Sequence, residues 1–238
     1  MKKLLIAMAF AGLSLSSMAQ ETADPTLKYS VATNSFWSNW FVQGNFTWTA
    51  FYSNEEKGMG WTKSPVKDFR RDMGFSAAIG KWFTPGIGIR AKFNGIWGKD
   101  VPKENAYNTC MHNKYWNLQG QALFNLSNLF CGYSPTRVWN ISPYAGIGLV
   151  RNMSLNSYCM AGSAGILNQW RVSKRVQINL DVQYNIMGDD FEGVDESLAY
   201  GGHEKRNHDQ IVSAEIGLTY NLGRCTWNKT PDVDAIEA

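Results

Sequence analysis

The sequence predicts an all-β chain, an eight-stranded antiparallel up-and-down transmembrane β-barrel. Three observations predict it. An export signal opens the chain, and nothing after it offers the ~20 consecutive apolar residues of a membrane helix. Eight segments alternate apolar and polar side chains with a period of two. The composition is that of a strand-rich chain: 10 Trp, 10 Tyr, 12 Phe and 22 Gly against 7 Pro, with 18% charged residues in 238. Backbone polar groups in lipid must find partners within the protein, so a chain without spanning helices crosses only as a closed barrel.

The export signal is read from its three parts. Lys2 and Lys3 form a positive start, Leu4 to Leu15 an apolar stretch, and Ser17-Met18-Ala19 a small-residue cleavage site. Cleavage falls between Ala19 and Gln20. No Cys follows the cut, which argues against a lipid anchor there. Removal leaves 21 basic against 20 acidic side chains. A chain that close to neutral carries no electrostatic footprint for nucleic acid. The expected organisation is a signal peptide over 1–19, a periplasmic segment over 20–38, the barrel over 39–223 and a periplasmic tail over 224–238.

In chain order, the first strand sets Trp40, Val42, Phe46, Trp48 and Tyr52 against Gln43, Asn45, Thr47 and Thr49. The second, Gly74 to Phe83, sets Phe75, Ala77 and Ile79 against Gly74, Ser76, Ala78 and Gly80. The third runs Ile87, Ile89, Ala91, Phe93, Gly95, Trp97, with Gly88, Arg90, Lys92 and Asn94 behind. In the fourth, Trp116, Leu118, Ala122 and Phe124 oppose Asn117, Gln119, Gln121 and Asn125. The fifth, Trp139 to Val150, carries Ile141, Pro143, Ala145, Ile147 and Leu149 on one face. The sixth, Ala161 to Val172, has no face the pattern assigns. The seventh, Val176 to Gly188, is the clearest: Val176, Ile178, Leu180, Val182, Tyr184 and Ile186 against Gln177, Asn179, Asp181, Gln183 and Asn185. The eighth sets Val212, Ala214, Ile216, Leu218, Tyr220 and Leu222 against Ser213, Glu215, Gly217, Thr219 and Asn221. Eight is an even number, as bacterial outer-membrane barrels require.

The spacers between strands also alternate. Thr84-Pro85-Gly86, Leu126 to Arg137 and Ser173-Lys174-Arg175 read as short turns. Ser53 to Asp72, Lys99 to Lys114, Arg151 to Met160 and Met187 to Asp209 read as outer loops. Short periplasmic turns against longer outer loops place both chain ends in the periplasm. Trp40, Trp82, Trp97, Trp116, Trp139 and Trp170 stand near strand ends, where aromatic girdles lie.

Alternation alone does not tell inside from outside, and a soluble lipocalin-like barrel would place its apolar face inward. The polar faces here carry Gly, Asn, Gln and Ser rather than the Lys and Glu of a watery surface. Four charges, Arg90, Lys92, Asp181 and Glu215, lie deep within strands. Third and seventh strands oppose one another across an eight-strand cylinder, so these side chains are expected to pair across the lumen. Paired buried charges are tolerated where lone ones are not. The expectation is an ionic plug that bars a continuous water channel.

The residues now on the page resemble the N-terminal barrel of OmpA-type outer-membrane proteins, in the version of Bacteroides-like bacteria. The resemblance is carried by Ser38-Asn39-Trp40-Phe41-Val42-Gln43-Gly44 and by Gly74-Phe75-Ser76-Ala77-Ala78-Ile79-Gly80-Lys81-Trp82. It continues through Thr84-Pro85-Gly86-Ile87-Gly88-Ile89-Arg90 and Tyr144-Ala145-Gly146-Ile147-Gly148, and spans about residues 38 to 228. Glu215-x-Gly217-x-x-Tyr220-x-Leu222 is similar to the signal read by the outer-membrane assembly machinery, which the resemblance makes a partner. OmpA-type proteins usually continue into a peptidoglycan-binding domain. This sequence stops at Ala238, either as a barrel-only member or as a piece of a longer protein.

Four cysteines are too few for a disulfide scaffold. Cys110 and Cys159 are expected in outer loops, Cys131 and Cys225 on the periplasmic side. Export permits Cys131–Cys225 and Cys110–Cys159 bridges, while a pair across the membrane exceeds the ~6 Å Cα separation of a disulfide. The three histidines, His112, His203 and His208, fall in outer loops, with Asp189, Asp190, Asp195 and Asp209 near the last two. No catalytic, metal-ligating or cofactor motif emerges, and the expectation is a protein that is not an enzyme. The functional reading is a structural barrel that supports outer-membrane integrity, contacts outer-membrane lipids and presents loops to host or cell-surface ligands. A narrow porin is the alternative, with a surface adhesin or a rim enzyme using His203 and His208 behind it.

Overall fold

The structure, a computed structural model, describes residues 29–31, 35–52, 63–67, 70–95, 98–99, 112–154, 156–188, 208–227 and 229–231. The chain divides into two compact units, residues 33–226 and residues 1–32 with 227–238. In the smaller unit, Tyr29–Val31 pairs antiparallel with Lys229–Pro231. The larger unit is a barrel.

Its strands are β1 (Trp40–Tyr52), β2 (Arg71–Trp82), β3 (Ile87–Gly95), β4 (Tyr115–Phe124), β5 (Trp139–Asn152), β6 (Ser157–Arg171), β7 (Val176–Met187) and β8 (Asp209–Leu222). Each pairs antiparallel with its neighbour in sequence, and β8 closes on β1 with Ile216 opposite Phe46. The eight-stranded up-and-down barrel expected from the alternation is the fold. Strands of 9 to 15 residues are long enough to cross a hydrocarbon layer when tilted.

One end of the barrel, here the turn end, receives both Trp40 and Leu222 and carries the β2–β3, β4–β5 and β6–β7 connections. The other, the loop end, carries the remaining connections, one of which holds a small pairing of Gly98–Lys99 with His112–Asn113. The β4–β5 connection is not a plain turn. It holds a one-turn helix, α1 (Leu126–Phe130), whose N-cap Asn125 accepts from the Asn128 amide through its side chain. Arg137 closes the other end of α1, donating to the carbonyls of Ser127, Cys131 and Gly132 and to Asn128 Oδ1.

Two boundaries differ from expectation. β2 begins at Arg71, three residues before Gly74. The span Arg151 to Met160, expected as an outer loop, is mostly strand: β5 runs to Asn152 and β6 starts at Ser157. Asn156, just before β6, has a φ of 54°, a left-handed conformation that Asn tolerates.

The apolar faces point outward. Phe46, Phe75, Ile79, Ile89, Leu118, Ile147, Ile178, Val182, Ile216 and Leu218 are all exposed on the barrel exterior. Neighbouring strands pair aromatic rings there, Phe46 with Phe75 edge-on at 5.5 Å and Phe93 stacked on Trp116 at 6.2 Å. The ambiguous sixth segment resolves with Cys159, Ala161, Ser163, Leu167 and Gln169 inward. Trp82 departs from the girdle expected of it. It packs against buried Phe41, with ring centroids 6.1 Å apart, on the inner side. Trp97 lies outside the described residues.

The lumen as candidate functional site

The lumen is filled by side chains in three layers. In the middle layer Arg90 and Lys92 rise from β3, Asp181 from β7 and Glu215 from β8; the first three are 0% exposed and Glu215 1%. Arg90 Nη2 donates to Asp181 Oδ2 at 2.8 Å, and Lys92 Nζ reaches the same oxygen at 3.0 Å. Lys92 Nζ also lies 2.9 Å from Glu215 Oε1. Two cations and two carboxylates thus form one chain of ion pairs that crosses the barrel axis from β3 to β7 and β8.

Neutral side chains complete it. Arg90 Nε donates to Gln121 Oε1 at 2.7 Å and Nη1 to Gln43 Oε1 at 2.9 Å, while its guanidinium lies 4.5 Å from the Tyr144 ring centroid. The Tyr144 hydroxyl donates to Asp181 Oδ1 at 2.6 Å. Lys92 donates to Gln183 Oε1 at 2.9 Å. Ser76 Oγ and Asn45 Nδ2 donate to Glu215 Oε2 at 2.6 and 3.0 Å. Asp181 therefore accepts from three donors, and Arg90 has all three of its nitrogens engaged. Each buried charge has both an opposite charge and hydrogen bonds, the condition under which burial is affordable.

The strands leave room for these long side chains where their own inward residues are small. A Cβ added at Gly148 would stand 2.7 Å from Gln119 Cγ and 2.1 Å from the Leu118 carbonyl. One added at Gly146 would meet Gln121 Cγ at 2.6 Å. Glycine on the inner face of β5 is what lets Gln119 and Gln121 lie across the lumen.

Above and below the ions the lumen turns apolar. At the turn end Phe41, Leu123, Tyr144 and Leu167 form a buried cluster, with Trp82 against it. At the loop end Phe51, Tyr115, Val150, Cys159, Ala161, Met187 and Ile211 form another. The alternation predicts no apolar layer inside, yet adjacent apolar residues at strand ends, Trp40-Phe41-Val42 and Phe51-Tyr52, require both faces to be apolar there. Between the ionic layer and the loop-end cluster a chamber of about 10 Å³ remains, lined in part by Thr47, Asn94, Asn117 and Ser213. That is the room of about one water molecule.

No family model matches the chain. Over 161 residues it is 30% identical to outer membrane protein 40 of Porphyromonas gingivalis, a match that takes in 66% of this chain and 41% of the relative. The chain therefore spans less than half the length of that curated relative. Among solved structures it aligns with neisserial surface protein A at 11% identity, over 77% of this chain and 97% of that one, with a TM-score of 0.45. It aligns with the N-terminal β-barrel domain of OprF from Pseudomonas aeruginosa at 8% identity, over 77% and 99%, with a TM-score of 0.40.

The chain is an eight-stranded antiparallel β-barrel that is similar to outer-membrane barrel proteins.

The other residues singled out in the sequence of this barrel fall as follows. Of the assembly-signal set, Tyr220 and Leu222 are exposed on the outer face. Glu215 belongs to the ionic layer, and Gly217 faces inward, where a Cβ would stand 2.4 Å from Asn45 Oδ1. Cys159 is a correction: it sits on β6 and points into the loop-end cluster, 8% exposed, rather than in a loop. Its inward place follows from β6 beginning earlier than the polar spacer suggested. Cys131 and Cys225 are both at the turn end and both free thiols. Burial pushes the Cys225 thiol up, with Arg175 and Arg171 pulling the other way. Cys110, His203, Asp189, Asp190, Asp195, Ala19 and Gln20 lie outside the described residues. His208 is exposed at the loop end, and Asp209 opens β8 as a buried residue. Among the described residues, no group of three His, Cys, Asp or Glu is placed to hold a metal ion.

Proposed function

We propose that this protein is a structural component of the outer membrane whose lumen is closed to solute flow, with its turn end in the periplasm and its loops at the cell surface. The observation that carries the reading is the ion chain from Arg90 to Asp181, Lys92 and Glu215, sealed by an apolar cluster at each end. A solute entering from either side meets packed hydrocarbon and then fully paired charge. Orientation is supported by the entry and exit of the chain at the end opposite the three longest connections, β1–β2, β3–β4 and β7–β8. Loops on such a rigid frame are suited to contact host or neighbouring surfaces. The outward Tyr220 and Leu222 suit a last strand read by the assembly machinery.

Reconstitution into planar bilayers tests closure. The native barrel gives no steady conductance, and Arg90→Gln with Lys92→Gln raises it or disorders the barrel; a native protein that conducts steadily would overturn the reading. Orientation is read separately with a membrane-impermeant maleimide on a Cys110→Ser/Cys159→Ser background. Cys131 is silent on intact cells and labelled once the outer membrane is permeabilised. Labelling on intact cells reverses the assignment.

A further inference from the structure

Charge is sorted between the two ends of this barrel. Among the described residues, the turn end (35–41, 81–88, 122–141, 168–178 and 219–226) holds Lys81, Arg137, Arg171, Lys174, Arg175 and Arg224 and no Asp or Glu. The described acidic residues of the barrel are instead the lumen pair, Asp181 and Glu215, with Asp72 and Asp209 beside connections at the loop end. Two turn-end cations are already committed. Arg137 is spent on the α1 carbonyls, and Lys81 Nζ donates to the carbonyls of Phe36 and Ser38 among the Phe36, Trp40 and Phe83 rings.

Three others stand together around the β6–β7 turn. Lys174 and Arg175 are exposed, and Arg171 is half-buried and donates to the Pro135 carbonyl. Arg175 lies on the barrel's outer flank, where its Nη1 is 3.4 Å from the hydroxyl of outward-facing Tyr220. Val172, between these cations, is 64% exposed, and Phe36, Trp37, Leu129 and Phe130 are exposed at the same end. Apolar side chains that enter a bilayer, level with cations that stop at its surface, describe the headgroup plane.

We infer that the turn-end rim, centred on Arg171, Lys174 and Arg175, is a docking surface for anionic phospholipid headgroups. The charge selects the class. A headgroup with an uncompensated phosphate, such as phosphatidylglycerol, is attracted, whereas a zwitterionic one supplies its own ammonium. Arginine adds the forked geometry that fits phosphate oxygens, and basic side chains near a membrane surface draw anionic lipid. The inference needs the barrel in a bilayer and does not depend on which face of the cell the turn end meets.

The test uses the whole chain in phosphatidylcholine bilayers with a trace of spin-labelled phosphatidylglycerol or phosphatidylcholine. Electron paramagnetic resonance then reads the fraction of each label that the protein restrains. The native barrel favours phosphatidylglycerol about twofold. Arg171→Gln with Lys174→Gln and Arg175→Gln returns the ratio to one, as does 1 M salt on the unaltered protein. The loop-end variant Lys63→Gln with Lys67→Gln and Lys114→Gln keeps the native ratio. Heat-modified migration on gels reports that each variant is folded. A native ratio of one, a preference that survives the turn variant, or one lost in the loop-end variant overturns the proposal.

Discussion

The middle of the lumen and its two ends fill the same cylinder with opposite chemistry. In the middle, length and charge span the axis: Arg90 and Lys92 cross to Asp181 and Glu215 with no exposed atom. At the ends the side chains are apolar, Phe41 with Leu123 and Leu167 on one side, Phe51 with Met187 and Ile211 on the other. The difference teaches where each chemistry is tolerable. A charge near an open end is hydrated and gains little from a partner, while hydrocarbon there excludes the water that would weaken pairs further in. The apolar ends make the ionic middle strong, and the ionic middle fixes which strand faces which.

The largest break in that comparison comes from leaving charge without its partner. Asp181→Asn keeps the shape but strands Arg90 and Lys92 with Glu215 as their one anion. We expect a loss of about 3–5 kcal/mol, measured as a lowered urea midpoint in micelles or a lower temperature of heat modification on gels. A change below about 1 kcal/mol would mean that the middle layer is not dry. Cutting into an end layer costs less. Leu167→Ala removes packing from the turn-end cluster and is expected to cost about 3 kcal/mol by the same measurement. It also admits water toward Arg90, so an Asp181→Asn/Leu167→Ala double variant loses less than the two single losses together. Strict additivity would show the layers to be independent.

The comparison also separates what the amino-acid order reveals from what it hides. The strands and their outward faces were legible because lipid on one side and a polar lumen on the other impose a strict alternation, seen from Val176 to Ile186 with hardly a break. Arg90, Lys92, Asp181 and Glu215 were legible as a set because four charges mid-strand have no reason to be there unless they face each other. The end layers were hidden because an apolar residue in an inward position, such as Leu123, looks like a slip in register. β6 was hidden for the same reason: Leu167 points in and Asn168 points out, inverting the rule. The Arg151 to Met160 span misled because inward polar residues such as buried Asn152 extend the strands beyond the lipid-facing pattern.

A smaller effect sharpens the geometry of the middle. Gly148→Ala adds one carbon against Gln119 Cγ and the Leu118 carbonyl. Overpacking of that kind is expected to cost about 1–3 kcal/mol. Gly44→Ala, with nothing within 4 Å of the new carbon, is expected to be close to neutral and serves as its control. Equal losses at the two positions would mean that strand propensity, not lumen space, sets the preference for glycine.

A last pair of substitutions divides a single residue between the two layers. Tyr144 belongs to the turn-end apolar cluster through its ring and to the ionic layer through its hydroxyl, which donates to Asp181 Oδ1 at 2.6 Å. Tyr144→Phe removes only the hydroxyl and keeps the ring beside the Arg90 guanidinium at 4.5 Å. Asp181 retains two cationic donors after the change, so the loss is that of one hydrogen bond to a charged acceptor, about 1.5–3 kcal/mol at most. Tyr144→Ala removes the ring as well and is expected to approach the cost of the Leu167 truncation plus that bond. Measured in one unfolding series, the step from Tyr to Phe weighs the ionic layer and the step from Phe to Ala weighs the apolar one. If the first step exceeds the second, the hydroxyl holds the two layers together and the ring is only its support.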